Sequence, residues 1–108
     1  MSKLFPHLFS PLKIRHLTLK HRLVFGTHTP NMGVEGRPGE RHLHYYLERA
    51  LGGAAMISVE PIPAHPTAIL TGGQFLGADE EMVPHFRRIT EACHAHDVVM
   101  VQQIFHIG

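Results

Sequence analysis

Cysteine is nearly missing from this sequence: Cys93 is the single one in 108 residues. That excludes an internal disulfide framework and suits a reducing cytoplasm. A dominant charge is missing too, because ten Lys and Arg stand against nine Asp and Glu for a formal net charge of +1. The basic residues are scattered singly, with no Lys/Arg block interleaved with aromatics, which gives no electrostatic case for a nucleic-acid partner. Long apolar runs are absent as well. No stretch approaches the roughly 20 residues that a membrane helix requires, and residues 1–9 lack the apolar centre of a signal peptide. What is present is the composition of a globular protein, 44% hydrophobic and 18% charged, in a chain long enough for one domain at most. The expectation is a cytoplasmic protein with no membrane partner.

The most informative stretch is residues 98–108, an apolar β-branched run that turns polar only towards its carboxyl end. It reads as a strand buried on both faces, of the kind a parallel α/β sheet uses. Ligands of barrels and open α/β sheets sit outside the carboxyl ends of the strands, so Gln102, Gln103 and His106 stand where a ligand would be met. Upstream, residues 8–14 and 17–20 alternate in character around Arg15-His16 and predict a small hairpin, able to plug the bottom of a barrel. Residues 22–26 read as a short buried strand, and Arg22 at its start belongs to the end of the sheet that bears stability. A polar loop with Pro30 and Gly33 follows.

The first helix is read from Leu43, Tyr46, Leu47, Ala50 and Leu51, one stripe on a 3.6-residue period, ended by Gly52-Gly53. A second strand over residues 54–60 should finish near Glu60, because Pro61, Pro63 and Pro66 cannot donate to a sheet ladder. Glu60 itself, at a strand end, is expected to bond loop amides or an arginine. After a connecting loop with Gly72, Gly73 and Gly77, a second helix opens at Asp79-Glu80-Glu81, tolerates Pro84 in its first turn, and buries Met82, Phe86, Ile89 and Cys93. Cys93 is therefore a core thiol and not a nucleophile. Strand, helix, strand, helix, strand implies a parallel α/β sheet. It is either a small open domain or the first part of a (β/α)8 barrel, and residue patterns alone do not choose. Eleven histidines raise the question of a metal. His42 and His44, like His94 and His96, are two apart and fall on nearly opposite helix faces, unlike the i, i+4 pairs that share a zinc, so no metal site is expected.

Residues 8–14, residues 17–24, the run Tyr45-Tyr46-Leu47-Glu48-Arg49-Ala50-Leu51-Gly52-Gly53-Ala54 and the ending Gln103-Ile104-Phe105-His106-Ile107-Gly108 together resemble the old yellow enzyme family. The loop Gly26-Thr27-His28-Thr29 is most similar to that of the 2,4-dienoyl-CoA reductase and trimethylamine dehydrogenase branch. The resemblance implies the amino-terminal portion of a (β/α)8 TIM barrel, a hairpin plus about three βα units, truncated before the remaining strands.

It further implies FMN as cofactor, NAD(P)H as reductant and a small-molecule substrate such as an enone or a dienoyl thioester. Gly26, Thr27 and His28 would lie along the isoalloxazine, mainly through backbone. The Thr29 hydroxyl would approach its carbonyl and N5 side, Pro61 would pass beside the ring, and Gln103 would give its amide to the pyrimidine edge. A threonine at Thr29 cannot make the thioether link of the dehydrogenase, so the FMN would be held without a covalent bond. His106 would support the site. The catalytic residues of the family would lie beyond Gly108, as would any iron–sulfur cluster or FAD domain, and 108 residues alone would be inactive. Two alternatives stand beside the alkene reductase: an amine-oxidising demethylase of the same branch, and a non-catalytic partial barrel that self-associates. A homo-oligomer is compatible with either.

Overall fold

A computed structural model describes residues 3–77 and 79–108. The hairpin is present: β1 (Leu12–Ile14) pairs antiparallel with β2 (Leu17–Leu19), reversing through Arg15 at φ 53°. It is tied down on both sides. Arg22 donates its backbone N–H to Leu8 O at 2.9 Å and its Nε to Ser10 Oγ at 3.1 Å, and Lys20 Nζ reaches the His96 carbonyl at 2.9 Å. Arg22 is thus a structural residue at that end of the sheet.

The main sheet holds three parallel strands in the order β3 (Val24–Phe25), β4 (Met56–Pro63) and β5 (Val99–Phe105). Helix α1 (Glu40–Leu51) joins the first pair and α2 (Val83–His94) the second, with short 3-10 turns at Pro66–Ala68 and Glu80–Met82. Helix α1 ends as expected, with Gly53 left-handed at φ 98° and its N–H on Ala50 O. Ahead of α2 the Asp79 carboxylate accepts from Met82 N–H at 3.2 Å, and Pro84 sits in the first turn. The sheet is open among the described residues, a portion of a barrel wall and not a closed barrel.

One core cluster joins Tyr46, Ala50, Ile57, Val59, Ile89, Cys93 and Val98, and a second joins Ile62, Phe75 and Met82. The α2 stripe lies as read, and Cys93 is fully buried, which pushes its thiol up.

Four expectations change. In α1, Leu51 is exposed and His42 is buried with Tyr46 and Ala50, because the row at i, i+4 and i+8 faces β4, where Glu60 offers a polar partner. Strand β3 is two residues long, and its Val24 is 45% exposed; among the described residues only β4 pairs with it. Strand β5 is not buried on both faces: Val101, Gln102, Gln103 and Ile104 are exposed, since among the described residues only β4 covers an edge of it. Finally, β4 does not stop at Glu60 but runs through Pro61 to Pro63. Val59 faces Gln102 and Ile62 faces Ile104, so Glu60 and Pro61 together oppose Gln103. That is a β-bulge, and it takes Pro61 out of the ladder.

Candidate functional site

At the carboxyl ends of the three strands lies a cleft of about 220 Å³, lined by Thr29, Pro61 and Gln103 and completed by Leu70, Thr71, Gln74 and Phe105. Thr29 comes from the loop after β3, Pro61 from the bulge of β4 and Gln103 from β5. Among the described residues no hydrogen bond engages the Gln103 side-chain amide; of Gln103, the nearby Gln102 amide bonds the backbone carbonyl alone. At Gly26 an added Cβ would meet nothing within 4 Å, so the backbone there is bare to a flat group. The other two loop residues turn their side chains elsewhere. Thr27 Oγ1 lies 2.5 Å from Ser58 Oγ, and His28 Nδ1 lies 3.1 Å from the Tyr45 hydroxyl, over whose ring the Arg49 guanidinium stacks at 3.7 Å.

Gln102, read in the sequence as a ligand-edge residue, is structural. Its Nε2 donates to Glu60 O at 2.6 Å and to Gln103 O at 2.9 Å. His106 is also held internally: Nδ1 accepts from Gly108 N–H at 2.9 Å and Nε2 lies 3.4 Å from Thr67 Oγ1. Among the described residues no group of three or more His, Cys, Asp and Glu is placed to hold a metal ion.

Two loops around the cleft are sewn together. Asn31 Oδ1 accepts from Thr71 Oγ1 at 2.6 Å and from Gly73 N–H at 2.9 Å, while Gly33 N–H donates to Gly73 O at 2.7 Å. Further on, Leu76 N–H donates to Gly36 O at 3.1 Å, and Arg37 pairs with Asp79 at 2.8 Å and Glu81 at 2.7 Å. The Arg37 guanidinium holds the Asp79 carboxyl below its usual range. Sequence reading took this second loop for a connection and missed Thr71 and Gln74. The available signal was Thr71-Gly72-Gly73-Gln74, glycines between polar residues where two backbones approach.

Behind the cleft is a buried polar cluster. The Tyr46 hydroxyl donates to Glu60 Oε1 at 2.9 Å and accepts from Glu60 N–H at 2.9 Å. His42 Nδ1 accepts from Gly39 N–H at 3.1 Å, which places the ring proton on Nε2, 3.4 Å from Glu60 Oε1. Glu60 therefore bonds a tyrosine from α1 and not the loop amides or arginine expected of it. Burial, and then the Glu60 charge, push the Tyr46 hydroxyl well above its ordinary value of 10.0. The folded state keeps a proton that the unfolded chain releases at that pH. Its contribution to stability is therefore whole below pH 10 and is lost as the pH rises beyond it. In an alkaline titration, tyrosinate absorbance from Tyr46 should appear together with loss of far-UV circular dichroism; ionisation within an intact fold would contradict this.

Parallel strands, intervening helices and a cleft outside the strand ends are the anatomy of a barrel-type α/β protein. Solved structures agree. The chain superposes on 2-naphthoyl-CoA reductase with a TM-score of 0.89 at 25% identity, covering 94% of this chain and 16% of that one. On the old yellow enzyme from Trypanosoma cruzi the TM-score is 0.87 at 27% identity, covering 97% and 28%. Residues 7–108 match the NADH:flavin oxidoreductase / NADH oxidase family, and the chain belongs to that family. Among curated relatives, a probable N-methylproline demethylase of Rhizobium meliloti is 32% identical over 102 residues, 94% of this chain and 15% of the relative. The 4,4'-dithiodibutanoate disulfide reductase of Rhodococcus erythropolis is 32% identical over 107 residues, 95% of this chain and 25% of the relative. The chain thus spans a quarter or less of the length of these two. The old yellow enzyme resemblance and the amino-terminal barrel portion read from the sequence both hold.

Proposed function

We propose that this chain is the cofactor-facing first portion of an FMN-dependent NAD(P)H oxidoreductase acting on an activated alkene such as an enone or a dienoyl thioester. The observation that carries this reading is the meeting of Thr29, Pro61 and Gln103 in one cleft, with the Gln103 amide unengaged among the described residues. These residues fit an isoalloxazine. Gln103 supplies the donor and the acceptor that its pyrimidine edge needs, Thr29 a hydroxyl, Pro61 an apolar contact, and Gly26, Thr27 and His28 the backbone along its rim. Bound there, FMN supplies hydride transfer from NAD(P)H to the alkene. By the family resemblance, the groups that anchor substrate and deliver the proton would lie beyond Gly108.

A second reading, oxidation of an N-methyl amine, is favoured by two relatives: the demethylase above and the N,N-dimethylglycine/sarcosine dehydrogenase of Chromohalobacter salexigens, 29% identical over 108 residues. Titrating FMN into the purified protein and then adding NADH, NADPH or sarcosine separates the readings. Flavin that binds supports both; in the full-length enzyme, bleaching by a nicotinamide supports the alkene reductase and bleaching by sarcosine alone supports the amine oxidation. No binding at any FMN concentration sinks both and leaves a partial barrel that associates with itself.

A further inference from the structure

The buried cluster behind the cleft is not used by any contact assigned above, and its position in the sheet gives it a task. Along β4, Ile57 and Val59 point into the core shared with the helices, while Ser58 points to the other face and meets Thr27. Unbroken alternation would send Glu60 to the Ser58 face and Pro61 into the core. The bulge reverses this. Glu60 is buried on the Val59 side against α1, with only 1% of its surface exposed, and Pro61 is turned into the cleft. Four bonds fix the reversal. The Glu60 N–H and carboxylate share the Tyr46 hydroxyl, and the Glu60 carbonyl takes the Gln102 amide, which also binds the carbonyl of Gln103.

Stability alone does not require a carboxylate here. Glu60 Oε2, His42 Nε2 and Gln74 Nε2 are buried without a partner among the described residues, and an apolar side chain of similar volume often replaces such a group without loss. We propose that Glu60 is a positioning residue for the cleft: held by Tyr46 and backed by His42, it sets the bulge that aims Pro61 and Gln103 at the flavin. This rests on the flavin reading for its consequence, though not for its geometry.

The test compares Glu60→Leu, Glu60→Gln and Tyr46→Phe with the parent protein. FMN affinity, the absorption spectrum of bound flavin and amide hydrogen exchange without FMN are measured on each. Glu60→Leu and Tyr46→Phe should each weaken FMN about 10-fold or more, the value of one hydrogen bond lost to the ring, and should perturb the bound-flavin spectrum. Exchange should quicken at Glu60, Ile62 and residues 102–105 and nowhere else. Glu60→Gln keeps an oxygen for the Tyr46 proton and should retain parental affinity, spectrum and exchange.

Equal behaviour of all four proteins overturns the proposal, as does a Glu60→Gln defect as large as that of Glu60→Leu. If Glu60→Leu does not fold, Tyr46→Phe decides; if that variant also fails to fold, the cluster serves the fold and the proposal falls. A parent that binds no FMN refutes the flavin reading only, and the exchange pattern still decides whether Glu60 sets the bulge.

Discussion

Replacing Gln103 by alanine should weaken FMN binding about 10- to 100-fold, the value of two hydrogen bonds of roughly 0.7 to 1.4 kcal/mol each. The size of the effect follows from where the amide stands. It lines the cleft from the end of β5 and is exposed, and among the described residues it serves no other group. Its removal therefore subtracts ligand contacts and little else. Thermal unfolding without FMN should be unchanged. The neighbouring Gln102 gives the opposite pattern, because its amide ties Glu60 O to Gln103 O. A Gln102→Ala protein should lose thermal stability even without flavin. Unaltered FMN affinity in Gln103→Ala would remove this residue from the site.

The largest loss of stability should come from adding one methyl group to Gly73. A Cβ there would stand 2.2 Å from the Asn31 carbonyl oxygen, and that oxygen is backbone, which cannot swing aside like a flexible side chain. The two loops must separate. With them go the Asn31 bonds to Thr71 and Gly73 and the bond from Gly33 to Gly73. A loss of roughly 2 to 3 kcal/mol corresponds to a midpoint lower by about 10 to 20 °C in a unit of this size. Gly72 is the internal control, since a Cβ there meets nothing within 4 Å. Calorimetry of Gly72→Ala should match the parent, and a Gly73→Ala midpoint equal to that of Gly72→Ala would show that the loops do not pack so closely in solution.

Local signals carried most of the fold into the sequence reading. Gly52-Gly53 stopped α1, Asp79 and Pro84 opened α2, and the alternation around Arg15-His16 marked the hairpin. What was illegible depends on neighbours. The valines of β5 suit a strand covered on both faces, yet Ile104 is 65% exposed, because burial is a property of the company a strand keeps and not of its own residues. The prolines after Glu60 read as a stop. They were compatible with a strand because β3 ends opposite Ile57 and a bulge removes Pro61 from the remaining ladder. At the site, Thr29, Pro61 and Gln103 were named from family resemblance, whereas Thr71 and Gln74 were missed: their place in the cleft is fixed by the Asn31 bonds, and such bonds leave no periodicity behind. His42 was left out of the α1 stripe for a related reason, since a histidine enters a core row only when a partner such as Glu60 awaits it.

The sewn loops have a consequence for proteases. Residues 26–39 and 64–77 are long connections rich in glycine and proline, the kind of segment that an enzyme nicks first when it lies free on a surface. Cleavage requires a stretch of backbone to lift away and extend through the enzyme's groove. Between Asn31 and Glu81 that lifting would have to undo the bonds to Gly73, Gly36 and Arg37 together. The rim of the cleft should therefore outlast its apparent vulnerability, and a native digest should spare these loops until the two come apart as one.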